Sequence, residues 1–377
     1  MAGQHLSNRK KHAQELVRGT HRLVRPHCRV NKCPAFFSDP FCIIDKTKRS
    51  LLTTLLAFGF WTATMVTRLI MYKRILTASI TALALLLSGS LLNAAEIKLV
   101  RFGPVGEERP GIVDAQGQIR DLSAHIDDIT PNTLSEASLE EIAQIPMSEL
   151  PVVQGNPRLG VPVTGTGKIV AIGFNYVNHA AEMAVELPTE PLVFMKATSA
   201  LTGPFDNVIQ PRNGHKLDYE SELVIVIGRR TQYISESEVF DYIAGFTVGH
   251  DVSERAFQRE RGGQFTKGKS ADTFAPVGPY LVTPDNIDDV QNLSIWSEVN
   301  GEMRQQGSTA DMVFGVKEIV SHLSQFMTLH PGDLIFTGTP AGVGDAMDPP
   351  SYLKPRDVVR VGIEGLEFQR QTIVAPR

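Results

Sequence analysis

From residue 168 onward the chain alternates short apolar runs with Gly/Pro turns: IVAIGFN, ELVIVIG, IAGFTVGHD, APVGPYLV, SIWSEVNG, DLIFTG and DVVRVGIEG. Runs of this length bounded by turn residues predict strands, and their frequency predicts a β-rich sandwich or roll. The run ending at Gly228 has no polar alternation across Val224, Ile225, Val226 and Ile227, the pattern of a strand covered on both faces. Helical spacing is clearest at 309–328, where Met312, Val316, Ile319 and Leu323 form one apolar stripe. Upstream, EIKLVRFG and RPGIVDAQGQIRDLS read as short strands and SLEEIAQI as a brief helix, which predicts a small N-terminal α+β domain at 96–160. The Pro/Gly-rich VVQGNPRLGVPVTGTGK then leads into a larger domain at 165–377. The expected whole is a mixed, β-rich α+β protein with no internal repeat.

The longest apolar stretches lie before residue 96 and read differently. Lys73 and Arg74 precede an apolar run from Ile75 to Leu92, and Asn93-Ala94-Ala95 offers small residues ahead of Glu96. That is the order of a secretory signal, displaced from the chain start. The expectation is a physiological start near Met71 or Met65, with 1–70 an upstream extension, 71–95 a signal peptide, and a periplasmic or secreted product. A membrane anchor is the rival, since LLTTLLAFGFWTATMVT at 51–67 is also near the lower spanning length.

Charge divides at the same place. Residues 1–74 carry 14 Lys and Arg against 3 Asp and Glu, a net of +11, whereas 75–377 carry 23 against 38, a net of −15. An acidic body excludes nucleic acid as a partner, because phosphates require a basic surface. All three cysteines, Cys28, Cys33 and Cys42, belong to the basic head, so the body has neither disulfide nor thiol chemistry. With His27 they could be imagined as zinc ligands, but they lack paired Cys-x-x-Cys knuckles.

The stretch KLDYESELVIVIG, 216–228, places Asp218, Glu220 and Glu222 at alternate positions before the apolar run. In an extended strand these would share one face. Crowded carboxylates beside a dry strand must neutralise or find a cation; alternatively the start of the strand simply projects into water. Asp251, at the end of its own strand, could supply a third ligand to Glu220 and Glu222. Carboxylates without histidine suit a hard ion, Mg²⁺ or Mn²⁺. His250 should then face away and pack, and His215 is a weak fourth candidate.

Other spacings are suggestive. His179 and Glu182 stand three apart, so on a helical turn the carboxylate could orient the imidazole for proton abstraction from water; an exposed helix pair with no duty has the same spacing. Arg255 and Gln258 follow Asp251, and Lys267 and Lys269 sit in a glycine-broken segment expected to be loop. Such groups can hold a carboxylate or a developing enolate, or can form ordinary surface ion pairs. TGTPAGVG, 337–344, lacks the order of a dinucleotide loop, though its amides could bind an anion.

Taken in order, GFNYVNHAAEM, DYESELVIVIG, HDVSERAFQ, TKGKSADTFAPVGP, NGEMRQQGST and LHPGDLIFTGTPAGVG resemble the fumarylacetoacetate hydrolase family, from about residue 96 to the C-terminus. The resemblance implies a β-roll fold, a homodimer, and a divalent ion held by Glu220, Glu222 and Asp251. It also implies a lid bearing a His179–Glu182 dyad, a catalytic Lys269, and a substrate site lined by Arg255, Gln258 and Thr339. The expected activity is metal-dependent hydrolysis of a C–C bond in a 2,4-diketo acid through an enolate. Isomerisation, decarboxylation or ureidoglycolate cleavage on the same site are alternatives, and a non-catalytic periplasmic dicarboxylate-binding protein is a separate one. The N-terminal extension and export signal depart from the family pattern.

Overall fold

The computed structural model describes residues 97–376, all within one compact unit, Ser88–Arg377. The signal-like segment, the basic head and the three cysteines lie outside the described residues.

Fourteen strands build the two main sheets. They are β1 (Lys98–Phe102), β2 (Arg109–Val113), β3 (Ile119–Asp121), β4 (Ile169–Gly173), β5 (Leu192–Lys196), β6 (Val208–Ile209) and β7 (Ser221–Ile227), followed by β8 (Ile243–His250), β9 (Leu281–Val282), β10 (Ser294–Val299), β11 (Glu302–Ser308), β12 (Leu334–Phe336), β13 (Val358–Ile363) and β14 (Glu367–Val374). Nine form a mixed sheet in the order β3-β2-β1-β9-β8-β7-β12-β4-β5, and five form a second sheet, β11-β10-β13-β14-β6. Within these sheets β12/β4 and β14/β6 run parallel. The mixed, sheet-rich α+β architecture is the one expected.

β7 lies inside the large sheet, between β8 and β12, and all seven of its residues are buried. This is why its sequence is an unbroken β-branched run: neither face meets water. The N-terminal strands do not form a sheet of their own, because β1 pairs with β9 and so continues the central sheet.

The helices are short: α1 (Glu136–Ala143), α2 (Val177–Glu182), α3 (Arg255–Arg259), α4 (Phe265–Lys269) and α5 (Val316–Phe326). α5 starts later than the apolar period predicts. Ser308 caps a 3₁₀ turn at Thr309–Asp311, and the chain then extends through Met312 to a Gly315 N-cap. Val316, Ile319 and Leu323 are buried on α5 as expected, and Met312 packs on the core from outside the helix. Lys267 and Lys269 lie on α4 rather than in a loop. Gly268 makes that helix possible here: a Cβ would meet Gln258 Cβ at 2.6 Å and the Glu254 carbonyl oxygen at 2.7 Å, so α4 packs against α3 only with glycine at this point.

Candidate active site

Strands β7 and β8 run antiparallel, with Glu222 opposite Gly249 and Ser221 opposite His250. Gly249 leaves room for β12: a Cβ there would come within 2.4 Å of Val224 Cγ2 and 2.6 Å of Phe336 Cε1. Side chains alternate across a strand, so Glu222 projects from one face and Ser221 from the other. Glu220 precedes β7 and Asp251 follows β8, and the Asp251 amide donates to the Glu220 carbonyl at 2.9 Å. The result is a buried trio, Glu220, Glu222 and Asp251, with one oxygen from each within 4.8 Å of the others.

Asp218 does not join them. The strand is interrupted at Tyr219 and Glu220, which breaks the alternation predicted to align three acids. The Asp218 carboxylate instead accepts from Arg255 Nε at 2.9 Å and from the Gly344 amide at 2.7 Å. Arg255 spans the break, with a terminal nitrogen 2.7 Å from Glu220 Oε1. Lys269 Nζ donates at 2.6 Å to both Glu220 Oε2 and Asp251 Oδ2.

A third cation escaped the sequence reading. Lys196, at the end of β5 and wholly buried, is ion-paired with Asp251 Oδ1 and reaches the Val252 carbonyl at 3.3 Å. Its signal was the one that exposed the acids, a charge at the end of an apolar strand run, PLVFMK.

These contacts divide the trio electrostatically. Burial raises the Glu220 carboxyl, but Lys269 and Arg255 outweigh it and hold the group well below the usual range. Burial, reinforced by repulsion from Asp251 and Glu220, pushes Glu222 well above that range. The hydrogen bond recorded for its carboxylate comes from the Gly338 amide at 2.8 Å. Hard oxygen donors, close spacing and one carboxylate without a cation make a set that fits Mg²⁺ or Mn²⁺.

α2 stands over this floor. Asn175 anchors it by donating to the carbonyls of Phe314 at 3.0 Å and Thr337 at 2.8 Å and accepting from the Phe314 amide at 2.9 Å. His179 Nδ1 lies 2.6 Å from Glu182 Oε1, and Glu182 Oε2 accepts from the Gly342 amide at 2.8 Å. A carboxylate only accepts here, so Nδ1 carries the proton and Nε2 is left as the basic nitrogen.

His179, Glu220, Glu222, Arg255, Gln258, Lys269 and Thr339 line one narrow cavity of about 40 Å³, along with Phe174, Phe194 and Phe265. Thr339 Oγ1 donates to the Ser221 carbonyl at 2.9 Å, and Gln258 Oε1 accepts from Arg255 at 3.2 Å. Lys267 and His215 stay outside: each is exposed, the first donating to the Arg261 carbonyl and the second lying against that of Asn213. His250 packs away from the trio, as expected. A hollow of about 850 Å³ elsewhere, lined by Leu139, Phe240, Tyr242 and Ile287 among others, holds none of these groups.

The glycine loop 337–344 does bind anions, and they are the protein's own. Amides of Gly338, Gly342 and Gly344 hold Glu222, Glu182 and Asp218 respectively. Behind the site a second network also went unread. Gln305 accepts from the Ser221 amide at 3.0 Å and donates to Thr339 Oγ1 at 2.7 Å. Gln369 donates to the Val248 carbonyl at 2.6 Å. Gln371 donates to the Pro204 carbonyl at 2.6 Å, which turns its Oε1 toward His250 Nδ1 at 2.9 Å.

With fold and cavity described, the chain belongs to the fumarylacetoacetate hydrolase family: residues 168–374 match the model of the fumarylacetoacetate (FAA) hydrolase C-terminal domain. It is an enzyme of that family, whose members similar to this chain include proteins named as hydrolases and as isomerases. It is 49% identical over 278 residues to the 2,4-didehydro-3-deoxy-L-rhamnonate hydrolase of a Sphingomonas species, covering 74% of this chain and 96% of that one. The fumarylacetoacetate hydrolase of Exiguobacterium antarcticum superposes with a TM-score of 0.67 at 34% identity, covering 74% and 99%. Maleylpyruvate hydrolase of Sphingobium sp. SYK-6, solved with manganese(II) and pyruvate, gives 0.63 at 27% identity, covering 74% and 100%.

Membership corrects one expectation. Export to the periplasm, or secretion, is overturned because the family is one of cytoplasmic enzymes. The matches span nearly the whole of these relatives while leaving about a quarter of this chain uncovered. No helix among the described residues is long and apolar enough to cross a membrane.

Proposed function

We infer that the protein hydrolyses a carbon–carbon bond in a 2,4-dioxo acid with the aid of Mg²⁺ or Mn²⁺ at Glu220, Glu222 and Asp251. The observation that carries this reading is that His179, paired with Glu182, lines the same small cavity as Glu220 and Glu222 of the buried trio. Related hydrolases named for maleylpyruvate and for a didehydro-deoxy-sugar acid support it.

A bound divalent ion would act as a Lewis acid toward the oxo-acid end of the substrate. His179 Nε2 takes a proton from the attacking water, and Glu182 balances the imidazolium so formed. Glu182 keeps its alignment through the Gly342 amide. Water adds to the C4 carbonyl, the C3–C4 bond breaks, its electron pair passes to C3, and protonation there gives pyruvate with the acid R-COOH. Lys269 and Arg255 face the negative charge that builds as that bond breaks. The cavity of about 40 Å³ is smaller than such an acid, so its walls must open to admit one.

The test is turnover of a simple 2,4-dioxo acid by the Mn²⁺-loaded protein in ¹⁸O-water, followed by mass spectrometry. The expected products are pyruvate and an acid carrying one ¹⁸O in its carboxylate. Consumption of substrate with its carbon skeleton intact would replace hydrolysis with isomerisation, and loss of CO₂ would replace it with decarboxylation.

A further inference from the structure

Resting on that hydrolase reading, we propose that the substrate carries a single carboxylate, at its oxo-acid end, and that its far end is uncharged, with alkyl and hydroxyl groups rather than a second acid. Two features of the cavity carry this. The first is the state of its cations. Among the described residues that line it, the cationic side chains are Arg255, Arg259 and Lys269. Arg255 is held by Asp218 and Glu220, and Lys269 by Glu220 and Asp251. Arg259 is 2.5 Å from Asp345, whose side chain is only 6% exposed. A divalent ion together with Lys269 complements one substrate carboxylate. A second would have to draw Arg259 from Asp345 and leave that buried carboxylate with the Tyr352 hydroxyl but no counter-charge, an exchange of one uncompensated charge for another.

The second feature is the aromatic wall. Phe194 meets Phe265 edge-on at 5.4 Å, and Phe265 meets Phe174 at 6.3 Å; the cation against this surface, Lys269, 5.3 Å from the Phe194 ring centre, is already held by Glu220 and Asp251. Gln258, buried and committed through Oε1 to Arg255, has no partner for its amide N–H groups among the described residues and lines the cavity with this wall. A neutral donor there suits a hydroxyl or carbonyl oxygen, and the three rings suit a methyl or methylene.

The experiment compares 2,4-dioxoheptanoate with 2,4-dioxoheptanedioate, which differ at the far end by the added carboxylate. Turnover and calorimetric binding are measured on the Mn²⁺-loaded full chain. The expected result is a kcat/KM at least about 100-fold higher, and tighter binding, for the monoacid. Phe265→Arg, which offers an unpaired cation at the wall, should narrow that ratio at least about tenfold. Equal binding, or preference for the diacid, overturns the inference even where both are cleaved. If neither acid is cleaved the hydrolase reading fails, while the binding ratio still decides the inference about charge.

Discussion

The two faces of the β7–β8 pair solve the problem of buried polarity in opposite ways. On the face toward the cavity the polar groups are charges: Glu222, flanked by Glu220 and Asp251 and balanced by Lys196, Lys269 and Arg255. On the face toward the second sheet they are neutral: the Ser221 amide meets Gln305, the Val248 carbonyl meets Gln369, and His250 meets Gln371. Charges depend on their partners, so removing one leaves another exposed to desolvation. Amides both donate and accept, and they fix strand spacing whatever the pH or ion content. The reactive side can therefore change charge during turnover while the framework behind it does not.

The sharpest contrast should come from His179→Ala, which removes the basic nitrogen above the charged face and touches nothing behind it. A kcat loss of about 10²–10⁴ is expected, with Mn²⁺ affinity and melting temperature unchanged. Near-normal hydrolysis in that variant would take the dyad out of the mechanism.

Next in size is a comparison within the charged face. Glu220→Gln leaves Lys269 and Arg255 short of a counter-charge and should destabilise the ion-free protein by about 3–5 kcal/mol, besides weakening Mn²⁺ binding. Glu222→Gln should weaken Mn²⁺ binding with a smaller penalty, since burial and repulsion from Asp251 and Glu220 already disfavour the charged form of that carboxyl. The ion binds the carboxylate form and so competes with protons at Glu222, whose burial favours the neutral form; Mn²⁺ affinity in the wild type should therefore rise with pH. Urea melts and calorimetric titrations read both effects. Equal destabilisation by the two variants would show that the carboxylates are not divided as described.

On the neutral face, burial, with Lys196 nearby, lowers the His250 imidazole from an ordinary 6.5 to about 4. Between those values the unfolded chain takes up a proton that the folded chain refuses. Stability therefore falls as pH drops from 6.5 toward 4, by about 3 kcal/mol from this residue. His250→Gln should flatten that part of the stability–pH curve. An unchanged slope in urea melts at pH 7, 6 and 5 would contradict it.

The smallest effect is expected from Gln369→Leu, which strips a donor from the carbonyls of Val248, Pro276 and Gly278. A cost of about 1–3 kcal/mol in stability, with kcat nearly unchanged, would mark the rear network as framework. A large fall in kcat would instead join the two faces into one machine.

The same division explains what could be read from the chain. Acids running into an apolar strand are conspicuous, because carboxylates seldom precede dry β-branched runs without reason. The carboxylate cluster was legible for that cause, as was the β-rich class from the recurring strands, whereas the His179–Glu182 spacing alone matched an exposed helix pair equally and took its role from the family resemblance. Gln369 and Gln371 were not, because a glutamine in EFQRQTIV looks like surface until a second sheet covers it. The departure of Asp218 from the trio was hidden as well, since alternation presumes a strand without the break at Tyr219. So was the late start of α5, where the stripe continues through Met312 but the Ser308-capped turn interrupts the helix.

The pairing of β1 with β9 bears on how this protein can be shortened for expression. Removing everything before residue 97 discards the cysteines and the basic head and leaves the nine-stranded sheet intact. Cutting after Asp121 would take β1, β2 and β3 together, leaving β9, two residues long, as an unprotected rim. Leu281 and Val282, now wholly buried, would offer unpaired amides and carbonyls to neighbouring molecules, a template for clumping in concentrated solution. A trimmed gene should therefore keep Lys98, however dispensable the hairpin looks beside the catalytic half.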